Sequence, residues 1–155
     1  MGHEVRRSAG YTLLELILVM AVLAVASLVV TPAVGRALDG IRVRADVAGV
    51  ASLLRWAREQ AATQGQAREV VFDDRERALV VRRAAGGSTG AVERRRPLSS
   101  RVAVAPPPGG LLAPITFMPM GLSNGGSLRL EAGPRVYVVT VDALTGRVST
   151  KRVDS

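Results

Sequence analysis

The sequence predicts an α+β protein in which a long N-terminal helix, membrane-spanning in its first half and amphipathic in its second, packs on an antiparallel β-sheet. Three observations predict it. Between Leu13 and Val30 the residues are apolar except for Glu15 and Ser27. From Ile41 to Gln64 apolar residues recur at helical spacing. From Arg68 onward the period falls from 3.6 to 2, and turn residues punctuate the chain.

The first stretch begins with a basic polar leader, Arg6-Arg7-Ser8-Ala9-Gly10, followed by Tyr11-Thr12-Leu13-Leu14-Glu15-Leu16. About eighteen apolar residues at ~1.5 Å each give ~27 Å of helix, close to the hydrocarbon thickness of a bilayer. A secretory signal peptide has a shorter apolar core with a small-residue cleavage site after it. Here the small residue, Gly10, precedes the core. A carboxylate within hydrocarbon is costly unless neutralised, which marks Glu15 as a functional residue. Arg6 and Arg7 on one side, against Arg36, Arg42 and Arg44 on the other, do not orient the span by charge.

Pro32, Gly35 and Gly40 predict a kink or soft section over 31–40. In the next segment Val43, Val47, Val50, Leu54, Ala57 and Ala61 form one apolar stripe, with Arg44, Arg55, Arg58 and Glu59 off it. Asp39 is a candidate cap for its start and Gly65 a left-handed stop. The stripe is expected to pack on the domain's own sheet. Trp56, the single tryptophan, is expected at the edge of the core or at an interface.

Strands are predicted at 69–73 and 78–82 around the turn Asp74-Arg75-Glu76-Arg77. Further strands are predicted at 101–105, 115–118, 127–130, 135–141 and 148–153. Residues 86–90 read as a flexible glycine-rich loop and Arg94-Arg95-Arg96 as a solvated basic run. Pro106-Pro107-Pro108-Gly109-Gly110 reads as a stiff exposed connection. The expected organisation is 1–10 leader, 11–31 transmembrane helix, 32–64 kinked amphipathic helix and 65–155 antiparallel β domain.

Composition narrows the chemistry. The 155 residues contain no cysteine, which excludes thiol catalysis and cysteine-ligated metals, and one histidine, His3, which alone cannot make a metal site. Net charge is +8, almost entirely from arginine, with Lys151 the single lysine. Such an excess suits nucleic acid, anionic lipid or plain solubility. Gly121-Leu122-Ser123-Asn124-Gly125 matches the nucleophile elbow of α/β-hydrolases, but no histidine stands near to serve the serine, and a strand follows where the elbow needs a helix. No enzyme, cofactor or metal is expected.

Gly10-Tyr11-Thr12-Leu13-Leu14-Glu15 resembles the class III leader of type IV pilins and type II secretion pseudopilins, with Tyr11 where that family mostly has Phe. Phe117-x-Pro119-x-Gly121-x-Ser123-x-Gly125-Gly126, two strands, and then Thr145-Gly146-Arg147-Val148 resemble the C-terminal signature of the GspH/FimT family. Leu54-Arg55-Trp56-Ala57-Arg58 with Ala61-Ala62, and Val71-Phe72-Asp73, are similar to it as well. The resemblance implies a type IV pilin-like fold and a minor pseudopilin of a type II secretion system. It further implies cleavage after Gly10 by a prepilin peptidase, N-methylation of Tyr11, and a role for Glu15 in assembly, paired with the new α-amino group. The implied partners are other major and minor pseudopilins and inner-membrane secretion assembly proteins. The implied location is a single pass through the inner membrane, leader in the cytoplasm and C-terminal domain in the periplasm. The alternative is a FimT-like minor type IV pilin that binds DNA during uptake through its basic C-terminal region, drawing on Arg129 and Arg135 and above all on Arg147, Lys151 and Arg152.

Overall fold

A computed structural model describes residues 12–85 and 88–153, with the side chains of 28–38, 85, 88 and 89 left out of the description. Gly10, Tyr11 and His3 therefore lie outside the described residues. The elements run in the order α1 (Leu13–Gln64), β1 (Arg68–Asp73), β2 (Ala78–Ala85), β3 (Ser88–Pro97), β4 (Ala103–Ala105), β5 (Ile115–Phe117), β6 (Gly126–Ala132), β7 (Arg135–Val141) and β8 (Val148–Val153). The chain divides into two compact units, Met1–Gly40 and Ile41–Ser155.

In the first unit Thr12 caps α1. Its hydroxyl accepts from the Glu15 N–H at 3.3 Å and its carbonyl from the Leu16 N–H at 3.2 Å. The side chains of Leu13, Leu14, Leu16, Ile17 and Leu18 are exposed. The expected transmembrane half is corrected here. Among the described residues no helix is long and apolar enough to cross a membrane. The charged Glu15 stands in the first turn of this helix. The single-pass inner-membrane placement falls with the expected span. The backbone of residues 31–40, where the kink or soft section is expected, is helical and lies within α1. Asp39 accordingly caps no helix start.

The second unit is a helix on two antiparallel sheets. The first sheet has strand order β3-β2-β1-β5 and the second β4-β6-β7-β8. The predicted stripe is the core-facing side of α1: Val50, Leu54, Ala57 and Ala61 have no exposed surface, and Val43 and Val47 are buried. It meets Val70, Leu79, Val81, Ile115 and Phe117 from the first sheet and Leu128, Leu130, Tyr137, Val139 and Val141 from the second. Fully burying such side chains contributes ~1.5–3 kcal/mol each. The helix ends where expected, at Gln64, with Gly65 at φ +63°.

β3 departs from the sequence reading. Within the stretch read as a glycine-rich loop and a basic run, Ser88–Pro97 form a ten-residue edge strand paired with β2. Its arginines each reach a neighbouring group. Arg94 lies 5.0 Å over the Trp56 ring, Arg95 pairs with Glu76 at 2.7 Å, and Arg96 donates to the Ala45 carbonyl at 3.1 Å. Position 49 is glycine, and a Cβ there would overlap the Arg96 guanidinium. The bare helix backbone thus gives this arginine its seat.

Arg68, at the start of β1, has no exposed surface. Its guanidinium donates to Glu93 Oε2 at 2.7 Å, to the carbonyls of Gln60 at 3.0 Å and Gln66 at 2.9 Å, and to the Gln64 side chain. A buried charge survives only when its donors are satisfied. Here they tie the end of α1 to β1 and β3.

Candidate functional site

The signature segment is a loop between β5 and β6 built on its own hydrogen bonds. Phe117 is fully buried and bridges to Ser123. The Met118 N–H donates to the Leu122 carbonyl at 2.8 Å and the Gly121 N–H to the Met118 carbonyl at 3.0 Å. Asn124 staples the loop to β5, accepting from the Thr116 N–H at 2.8 Å and donating to the Pro114 carbonyl at 3.0 Å. Ser123 is buried, and its Oγ accepts from the Gly125 N–H at 3.0 Å. It is a turn residue, and no described histidine stands beside it. Pro119 and Met120 are at the exposed tip, Met120 with 89% of its surface in solvent.

The second half of the signature, the turn between β7 and β8, is organised by Asp142. Its Oδ1 accepts from the N–H groups of Leu144 at 3.1 Å and Thr145 at 2.8 Å and from the Thr145 hydroxyl at 2.8 Å. Donation from the Thr145 N–H, then from its hydroxyl, holds the Asp142 carboxyl below its usual pKa.

The two halves meet. The Ser123 N–H donates to the Ala143 carbonyl at 3.2 Å. Gly146, at φ +61°, faces Gly121 so closely that a Cβ there would overlap the Gly121 carbonyl oxygen and lie 2.9 Å from Arg58 Nε. Arg58 Nε, from α1, donates to that same carbonyl at 3.2 Å. Helix, loop and turn line a cavity of about 770 Å³ whose walls include Arg55, Arg58, Gly121, Thr145 and Arg147.

This arrangement contains neither a nucleophile–base pair nor, among the described residues, a group of acidic and histidine side chains able to hold a metal. It is a surface where one helix meets two loops. The basic candidates are only partly brought together. Arg147 and Arg152 both line space shared with Arg55, whereas Lys151 stands on the opposite face of β8 from Arg152. Arg129 Nε lies 2.7 Å from Glu131 Oε1, out of hydrogen-bond alignment. Sequence reasoning missed Asn124 and Asp142 as organisers. The Asp142-x-x-Thr145 spacing before a glycine was the available signal.

A family model described as Type II transport protein GspH matches residues 46–145, which takes in the C-terminal part of α1 and the signature loop. The chain belongs to the GspH family. A second model, the prokaryotic N-terminal methylation motif, matches residues 5–31. Among relatives of this GspH-family chain, the type II secretion system protein H of Xanthomonas campestris pv. campestris is 33% identical over 72 residues. That match covers 46% of this chain and 43% of the relative, so the chain spans under half the length of the curated relative it matches. Two solved structures share the fold. The minor pseudopilin EpsH from the type 2 secretion system of Vibrio cholerae has a TM-score of 0.59 at 13% identity, covering 71% of this chain and 96% of EpsH. The type IV minor pilin FimU of Pseudomonas aeruginosa has a TM-score of 0.57 at 16% identity, covering 70% and 91%.

Proposed function

We propose that this GspH-family chain is a minor pseudopilin, a structural and non-catalytic subunit of a type II secretion pseudopilus. The observation that carries the reading is the family match over 46–145, the region in which α1 and the signature loop are joined through Arg58 and Gly121. Its partners are then the other pseudopilins and the secretion assembly proteins. The match of the methylation motif to 5–31 supports cleavage after Gly10 by a prepilin peptidase and N-methylation of Tyr11. In this reading Glu15, in the first turn of α1, pairs with the α-amino group freed at Tyr11 of its own or a neighbouring subunit.

The experiment is deletion of the gene in its host, with secretion and DNA uptake both measured. Retention of normally secreted proteins, restored by the wild-type gene, is expected. Intact secretion with lost DNA uptake would replace the reading by that of a DNA-uptake pilin.

A further inference from the structure

We propose that the groove between α1 and the free edge of β8 binds an acidic, extended polypeptide segment, which adds to β8 as a further strand. The inference concerns a binding site of the folded unit and does not depend on the assembly reading.

β8 ends the second sheet, with β7 on one side. Among the described residues no backbone hydrogen bond outside the β7 ladder involves 149–153. All five of these residues are exposed. Beside this edge lie the 770 Å³ cavity and a second of about 420 Å³, which share Arg55. Arg44, Arg55, Arg58, Arg147 and Arg152 stand on their walls, and Glu59 is the single carboxylate among the lining residues.

The charge is available. Elsewhere in the domain, arginines are matched with acids: Arg68 and Arg83 with Glu93, Arg82 with Glu69, Arg95 with Glu76. Among the described residues Arg44, Arg55 and Arg147 have no carboxylate within 4.0 Å. Arg44 and Arg55 are eleven positions apart on one face of α1, about three turns or ~16 Å. That is the reach of about five residues of extended chain, and β8 itself spans ~20 Å.

Strand addition supplies main-chain hydrogen bonds for affinity and side-chain alternation for specificity. Every second residue of the added segment would face the helix side and meet arginine, so acids at alternate positions are the expected pattern. A second copy of this chain, with net charge +8, is disfavoured by Lys151 and Arg152 on the edge. A nucleic acid would use the arginines but not the unpaired strand edge. The groove offers bases no stacking platform: Tyr137 is buried, and Trp56 is covered by Arg94.

The test uses the purified full-length chain and a labelled ten-residue peptide with glutamate at alternate positions and valine or threonine between. Binding is read by fluorescence anisotropy, and the edge by amide hydrogen exchange. Binding is expected with slowed exchange over Val148–Val153. Affinity should weaken at least about tenfold for the paired substitutions Arg55→Ala and Arg147→Ala, for a glutamine-for-glutamate peptide, and for a peptide with proline at its centre. Arg55 and Arg147 are exposed, so circular dichroism should be unchanged, and the exchange measurement on the unsubstituted chain needs no variant. Absent binding, protection confined to other strands, indifference to proline, or displacement of the peptide by a DNA oligonucleotide of equal charge at equal concentration would each overturn the proposal.

Discussion

Arg58 and Gly121, 63 positions apart, are joined by a 3.2 Å hydrogen bond from the guanidinium Nε to the glycine carbonyl. One exposed helix residue thereby ties the signature loop to α1, and the 142–147 turn closes over the same carbonyl. Replacing Arg58 by Ala should cost about 1 kcal/mol of stability. Amide exchange should quicken in residues 118–126 and 142–147 while the β1–β2 hairpin stays protected. Denaturant titration with site-resolved exchange checks both.

Gly146→Ala should be the more damaging change, at least about 2 kcal/mol. The added Cβ meets the Gly121 backbone as well as the Arg58 side chain, and the residue needs φ +61°. Gly65→Ala shares the φ penalty but meets open space, so it should cost less. Urea midpoints of the two variants measured side by side rank the effects.

Glu93 gives a pH signature. Hydrogen bonding from Arg68 is the largest cause holding its carboxyl below the ordinary 4.5, helped by Arg83 and opposed by burial. A depressed native pKa means stability that is fully present above the unfolded value and lost as pH falls through 4.5 toward the native one. Glu93→Gln should therefore destabilise most at neutral pH, and the gap to wild type should close in acid. Unfolding curves at pH 7 and pH 3 for both proteins test it. A gap that widens in acid would refute the assignment.

For the leader, Gly10→Val should leave the chain about ten residues too long and outside the pseudopilus. Glu15→Ala should be cleaved normally but assemble poorly. N-terminal sequencing should find Tyr11 first in the mature wild type. Normal incorporation of Glu15→Ala into pseudopili would remove the proposed pairing.

The helix stripe was legible because Val43 through Ala61 follow a strict 3.6 period, and β7 because its apolar run lies between clear turns. β3 was hidden because its residues are those of a loop and a basic surface. It is a strand because its backbone pairs with β2, and Arg94, Arg95 and Arg96 find Trp56, Glu76 and the Ala45 carbonyl, contacts that no local pattern encodes. Buried Arg68 was equally silent, since its partners come from α1, the 64–66 turn and β3. Glycine spacing marked both halves of the signature, but their meeting under Arg58 is a tertiary fact.

The first sheet has a kinetic consequence. β1, β2 and β3 are consecutive hairpins, and Arg68 clamps them to the immediately preceding end of α1. These contacts close loops of only a few to about 25 residues, whereas β5 must return to β1 across more than 40. Short closures are fast because they lose little chain entropy. Refolding should start with the end of α1 and this three-strand meander, with β5 and the signature loop docking afterwards. Substitutions at Val81 should mainly slow folding, and those at Phe117 should mainly speed unfolding.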